Sequence, residues 1–134
     1  MSDGVEQSRP SIRALIAAHG TFAAGLASAV DQITGRGAAF RTLSNSGLCL
    51  TDIQESLVSA LVETGARVIF TDLPAGSCTM AVRKLMRSRP EITLITGVNL
   101  PLLLDFAMQD HGDPVSAAHA ALDRGRASMV AHGA

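Results

Sequence analysis

The sequence predicts an α/β fold: an open, mainly parallel sheet of order 2-1-3-4 with helices on both faces. Three observations point there. Short apolar runs alternate with helix-length amphipathic segments, the unit recurs at about 30-residue intervals, and each apolar run stops at a turn-forming cluster. Consecutive parallel strands joined this way require right-handed crossovers, which cover both faces of the sheet.

Ile12 to Ala18 is an apolar run cut off at His19-Gly20, the length of a buried strand and too short for a helix. Phe22, Leu26, Ala29, Val30 and Ile33 then recur at helical spacing until Gly35-Arg36-Gly37 breaks the pattern. Ala38 to Leu43 is the second strand, followed by a Ser44-Asn45-Ser46-Gly47 loop. Thr51, three residues before Gln54, has capping-box spacing and opens a helix with Ile53, Leu57, Leu61 and Val62 on one face, ending at Gly65.

Ala66 to Phe70 is the third strand. It breaks over Thr71 to Ser77, and Cys78 to Arg87 turns helical with Met80, Leu85 and Met86 toward the core. Glu91 to Thr96, β-branched and apolar, is the fourth strand, and Gly97-Val98-Asn99 is a turn. Pro101 then starts a helix that continues through Leu102 to Met108. A loop over Asp110 to Pro114, a helix over Ser116 to Arg124 and a short last strand over Ala127 to Ala131 complete the chain. Met1 to Pro10 is polar and reads as a flexible leader, leaving residues 11–134 as a single domain.

Composition narrows the function. With 47% apolar and 17% charged residues the 134-residue chain is globular rather than disordered, and no apolar run reaches the length of a membrane span. Eleven Lys and Arg balance 12 Asp and Glu, and four Phe stand without any Trp or Tyr, which disfavours nucleic-acid binding. Two cysteines, Cys49 and Cys78, are too few for a disulfide scaffold and lack zinc-site spacing, so a reduced cytoplasmic compartment fits. Asp3 and Glu6 stand where a secretory signal carries positive charge.

The reactive residues lie at the carboxyl ends of strands 1 and 3. In this strand order those strands are neighbours whose following helices lie on opposite faces, so a crevice opens between them and holds His19 and Asp72. A histidine there can act as nucleophile, base or metal ligand. A carboxylate beside it can accept the Nδ1 proton and leave Nε2 as the nucleophile. Gly76 and Ser77 stand at a helix start, where backbone N–H groups and a hydroxyl suit a phosphate.

Each residue alone has a plainer role: a ring bonded to a carbonyl, an aspartate capping a turn, an N-cap serine. It is their meeting at one crevice that favours function. No lysine-bearing phosphate loop, GxGxxG turn or acidic pair for magnesium is present, which disfavours ATP and dinucleotide chemistry. His111, His119 and His132 fall in loop, helix and tail without partner spacing, and Cys78 reads as a packed thiol. Arg83, Lys84, Arg87 and Arg89 form either a solvated face or part of a docking surface for an acidic partner.

Three segments together resemble one family, the IIA proteins of the mannose/fructose/sorbose group of the bacterial phosphoenolpyruvate-dependent sugar phosphotransferase system. Ala17 to Leu26 resembles its phosphohistidine segment, a strand ending in His-Gly before a helix. Phe70 to Cys78 resembles its motif of aspartate followed by Gly-Gly-Ser/Thr-Pro, and Ile95 to Leu103 is similar to its Gly-Val-Asn-hydrophobic-Pro turn. The wording Thr71-Asp72-Leu73 and Thr96 to Leu100 looks closest to the N-acetylgalactosamine/galactosamine branch.

The resemblance implies that His19 takes a phosphoryl group from HPr and passes it to a IIB component, and through it to a IIC/IID permease, with Asp72 orienting the ring. It implies that Gly20, Gly76 and Ser77 surround the phosphoryl group, with no metal or cofactor needed. A homodimer exchanging its last strand, matched by Gly125 to Ala131, is implied as well. Ala75 and Cys78 depart from the motif's first Gly and its Pro, so a turn needing positive φ at Ala75 would be strained and the helix entry less fixed. These departures keep open a regulatory IIA-like module that is phosphorylated on the same histidine but controls a transcription factor or kinase. A third reading is a small-molecule-binding domain whose His19 is never phosphorylated. For transfer between proteins, Phe22 and Leu73 are the expected apolar rim around His19.

Overall fold

The structure, a computed structural model, describes residues 11–110 and 112–134. The leader and His111 lie outside the described residues. Strands β1 (Ala14–Ala18), β2 (Phe40–Ser44), β3 (Val68–Thr71) and β4 (Thr93–Ile95) form one parallel sheet of order β2-β1-β3-β4. The helices are α1 (Phe22–Thr34), α2 (Leu50–Thr64), α3 (Ser77–Leu85), α4 (Leu100–Met108) and α5 (Pro114–Ala127), with a 3₁₀ turn over Gly37–Ala39 before β2. Fold class, strand order and direction all follow the sequence pattern. Among the described residues no helix is long and apolar enough to cross a membrane.

Strand β1 carries the layering. Its alternate residues Ala14, Ile16 and Ala18 face α1, α4 and α5, and Leu15 and Ala17 face α2 and α3. The first face is built on Phe40, Phe70 and Phe106, with the last two rings edge to face at 5.2 Å. The second is aliphatic: Ile53, Leu57, Ala60 and Leu61 of α2 meet Cys78, Ala81, Val82 and Leu85 of α3. Helices α1 and α3 therefore lie on opposite faces, and the crevice at the carboxyl ends of β1 and β3 is open.

Local details differ. Helix α2 starts at Leu50, with Cys49 as an N-cap in extended conformation, so Thr51 is helical and no capping box forms. Asp52 in the first turn supplies the favourable negative charge instead. Val62 and Met80 are exposed, because the i, i+4, i+7 stripes Ile53-Leu57-Ala60 and Cys78-Val82-Leu85 set the buried faces.

The expected last strand is not formed in the single chain. Helix α5 runs through Gly125 to Ala127, where the Ser128 N–H closes on the Arg124 carbonyl at 3.1 Å. The outer edge of β4 has no partner among the described residues that would draw the tail into an extended form.

Candidate functional site

His19 is the first residue beyond β1 and Asp72 the first beyond β3. The register pairs Ala17 with Thr71, which brings the two side by side. One oxygen of Asp72, Oδ2, accepts both the His19 backbone N–H at 2.9 Å and ring Nδ1 at 2.7 Å. The carboxylate side chain is 12% exposed and the imidazole 48%. Burial pushes the Asp72 carboxyl up, but the two bonds from His19, its own backbone N–H and the nearby imidazole together hold it below the ordinary aspartate range. An ionised carboxylate only accepts, so Nδ1 carries the proton, and in the neutral ring it is Nε2, on the side away from Asp72, that has the lone pair.

Glycine serves two different purposes around this ring. Gly20 has φ +56, a left-handed turn that ends β1 and lets α1 begin, with the Phe22 N–H bonded to the His19 carbonyl at 3.1 Å. Gly76 is extended, with φ 178, a conformation open to any residue. A Cβ at this position would stand 3.4 Å from His19 Cε1, in van der Waals contact with the edge of the ring. Neither Thr21, the N-cap of α1, nor Gly76, the N-cap of α3, gives a side-chain cap, so two helix N-termini lie beside His19 without one. Uncapped N–H groups at the positive end of a helix favour an anion.

Ser77 is the first residue of α3 rather than its N-cap. Its Oγ accepts from Asn45 Nδ2 at 2.8 Å, a contact from the loop after β2 that sequence reading missed. An Asn in a turn after a strand is so common a loop residue that only the fold shows which motif it meets.

Thr71 and Thr79, also missed, form a buried pair with hydroxyls 2.6 Å apart, and Thr79 Oγ1 donates to the Leu73 carbonyl at 2.5 Å. This pair ties the loop carrying Asp72 to α3. The departures at Ala75 and Cys78 do no harm to it. No described residue other than glycine has positive φ, so Ala75 is unstrained, contrary to expectation.

Cys78 is packed under the second helical layer. Burial first, and then the Asp72 charge, push its thiol up, partly offset by the Ser77 hydroxyl. Phe22 and Leu73 are exposed as a rim. Gly97 to Asn99 is a structural turn: Val98 N–H bonds the Thr71 carbonyl, and Asn99 caps α4 while its amide reaches the Gly125 carbonyl. Among the described residues no group of three or more His, Cys, Asp or Glu could hold a metal ion.

Residues 13–122 match the family model described as the PTS system fructose IIA component. No curated protein matches the chain significantly. Among solved structures, the chain is similar to the mannose/sorbose-specific IIA subunit of the phosphotransferase system of Enterococcus faecalis: TM-score 0.77, 17% identity, 92% of this chain and 96% of that one covered. It is similar to component EIIA from Streptococcus agalactiae: TM-score 0.80, 18% identity, coverage 89% and 95%. A protein from Klebsiella pneumoniae, proposed as a phosphoenolpyruvate-dependent sugar phosphotransferase system permease, aligns with TM-score 0.74, 28% identity and coverage 92% and 93%. With the family model spanning most of its length, the chain belongs to the IIA components of the mannose and fructose group of the sugar phosphotransferase system.

Proposed function

We propose that the protein is a cytoplasmic phosphocarrier that accepts a phosphoryl group on His19 Nε2 from phospho-HPr and passes it to a IIB component, which serves a IIC/IID permease of the amino-sugar branch. The observation that carries this reading is the 2.7 Å bond from His19 Nδ1 to a half-buried, ionised Asp72 beneath a half-exposed ring. It fixes the tautomer whose free nitrogen faces outward, as a nucleophile requires.

In the transfer step, the Nε2 lone pair attacks phosphorus. The N–P bond of the donor imidazole breaks as the new one forms, and the donor keeps the released electron pair. The Nδ1 proton stays against Asp72, which balances the positive charge the ring gains. The N-termini of α1 and α3, through Gly20 and Gly76, together with the Ser77 hydroxyl, face the equatorial oxygens. Phosphoryl transfer asks mainly for such positioning and charge stabilisation. Phe22 and Leu73 give each partner an apolar rim for a transient contact.

The tail carries the assembly reading. Met129 is 84% exposed and lines a groove with Leu94 and Ile95 of the edge strand β4, and Val130 also stands in solvent. Exchange of this tail between two subunits would cover both, making a homodimer.

The test is incubation with phosphoenolpyruvate, enzyme I and HPr. An acid-labile phosphate should appear on the wild type and not on His19→Ala. Absence from the wild type, or its persistence on His19→Ala, removes the carrier reading.

A further inference from the structure

We propose that Asn45 is a positioning residue for phosphoryl transfer, acting through Ser77 by occupying a lone pair of its hydroxyl and thereby aiming the hydroxyl proton at the phosphoryl group. The inference rests on His19 being the acceptor and adds a residue from a third loop to that site.

A serine hydroxyl has one proton and two lone pairs, and its proton rotates freely unless a neighbour restricts it. Asn45 Nδ2 donates to Ser77 Oγ at 2.8 Å, so the serine proton turns away from the amide. The amide itself has a fixed mount. The Asn45 backbone N–H bonds the Ala18 carbonyl at 3.2 Å, and its carbonyl accepts from the Leu48 N–H at 3.1 Å. Asn45 therefore hangs from the end of β1, the strand that also ends in His19, and both parts of the site keep one frame of reference.

Without phosphate, the Ser77 hydroxyl has the Cys78 sulfur nearby, a weak acceptor. A phosphoryl oxygen bears charge and takes the proton in preference. Ser77 directly follows Gly76, whose position borders the Cε1 edge of the ring next to Nε2. A donor aimed there meets an equatorial oxygen as charge spreads over it. Aspartate at position 45 would reverse the arrangement, since it accepts the Ser77 proton and repels the phosphate.

The experiment measures single-turnover transfer from phospho-HPr to His19 in the wild type, Asn45→Ala, Ser77→Ala and the double variant, with melting temperatures alongside. Asn45→Ala should slow transfer about 10-fold at saturating donor, leave the donor concentration for half-maximal rate unchanged, and keep the melting temperature. In the Ser77→Ala background it should add nothing further. Asn45→Asp, close to isosteric, should fold normally and transfer more slowly than Asn45→Ala. A wild-type rate in Asn45→Asp or in a folded Asn45→Ala, or multiplied losses in the double variant, overturns the proposal. A wild type that takes no phosphate, or a His19→Ala that takes it, overturns the carrier reading instead.

Discussion

At the scale of single residues the site is a small set of constraints with separable effects. Asp72→Asn should keep the fold and slow acceptance of phosphate on the order of 100-fold, because a neutral amide neither fixes the tautomer nor balances the charged ring. Rapid-quench transfer from phospho-HPr checks this, and an unchanged rate would remove Asp72 from the site. The acidity of Asp72 also has a sign. Its carboxyl binds a proton less tightly in the folded chain than in the unfolded one. Its contribution to stability is therefore complete above the unfolded value of about 4 and disappears as pH falls through the lower folded value. An NMR titration of the Asp72 side-chain carbonyl carbon should show a midpoint below about 4. Gly76→Ala sets a methyl against the ring edge where the phosphoryl group is to be held: transfer should fall roughly 10-fold while urea stability changes by less than about 1 kcal/mol, since the backbone there suits any residue and the methyl fits.

At the scale of elements, single side chains join one helix to the next. Asn99 accepts from the Leu102 N–H at 3.0 Å and donates to the Gly125 carbonyl at 2.9 Å, joining the start of α4 to the end of α5. Asn99→Ala should cost roughly 1–2 kcal/mol in urea unfolding, the size of a lost cap plus one lost hydrogen bond between the helices, while the Gly125 carbonyl keeps the Ser128 hydroxyl as a donor. Helix positions and strand order were legible because buried parallel strands read as apolar runs and helices as amphipathic stripes. His19, Asp72, Gly76 and Ser77 were legible as candidates because they cluster where two strands end. What escaped has physical reasons. Val62 and Met80 are apolar residues beside a stripe, and only the packing of α2 on α3 decides which of them is buried. Asn45 meets Ser77 across 32 positions of sequence, a pairing that no local pattern encodes.

For the whole molecule, the open edge of β4 and the exposed Met129 and Val130 remain uncovered in a single chain. Sedimentation of the intact protein should show a dimer, and removal of residues 129–134 should leave a monomer that keeps its helix signal. A monomer at high protein concentration would sink the exchange. The five residues of β1 are all fully buried, in the middle of the sheet with neighbours on both edges and helices on both faces. Such a strand exchanges its amide hydrogens only when the entire chain opens, whereas the C-terminal tail frays at far lower free energy. Since His19 is tethered to the end of β1, the acceptor should outlast every local fluctuation. Phosphate acceptance and global structure should then disappear along one denaturation curve, with no partly unfolded form that has already lost its activity.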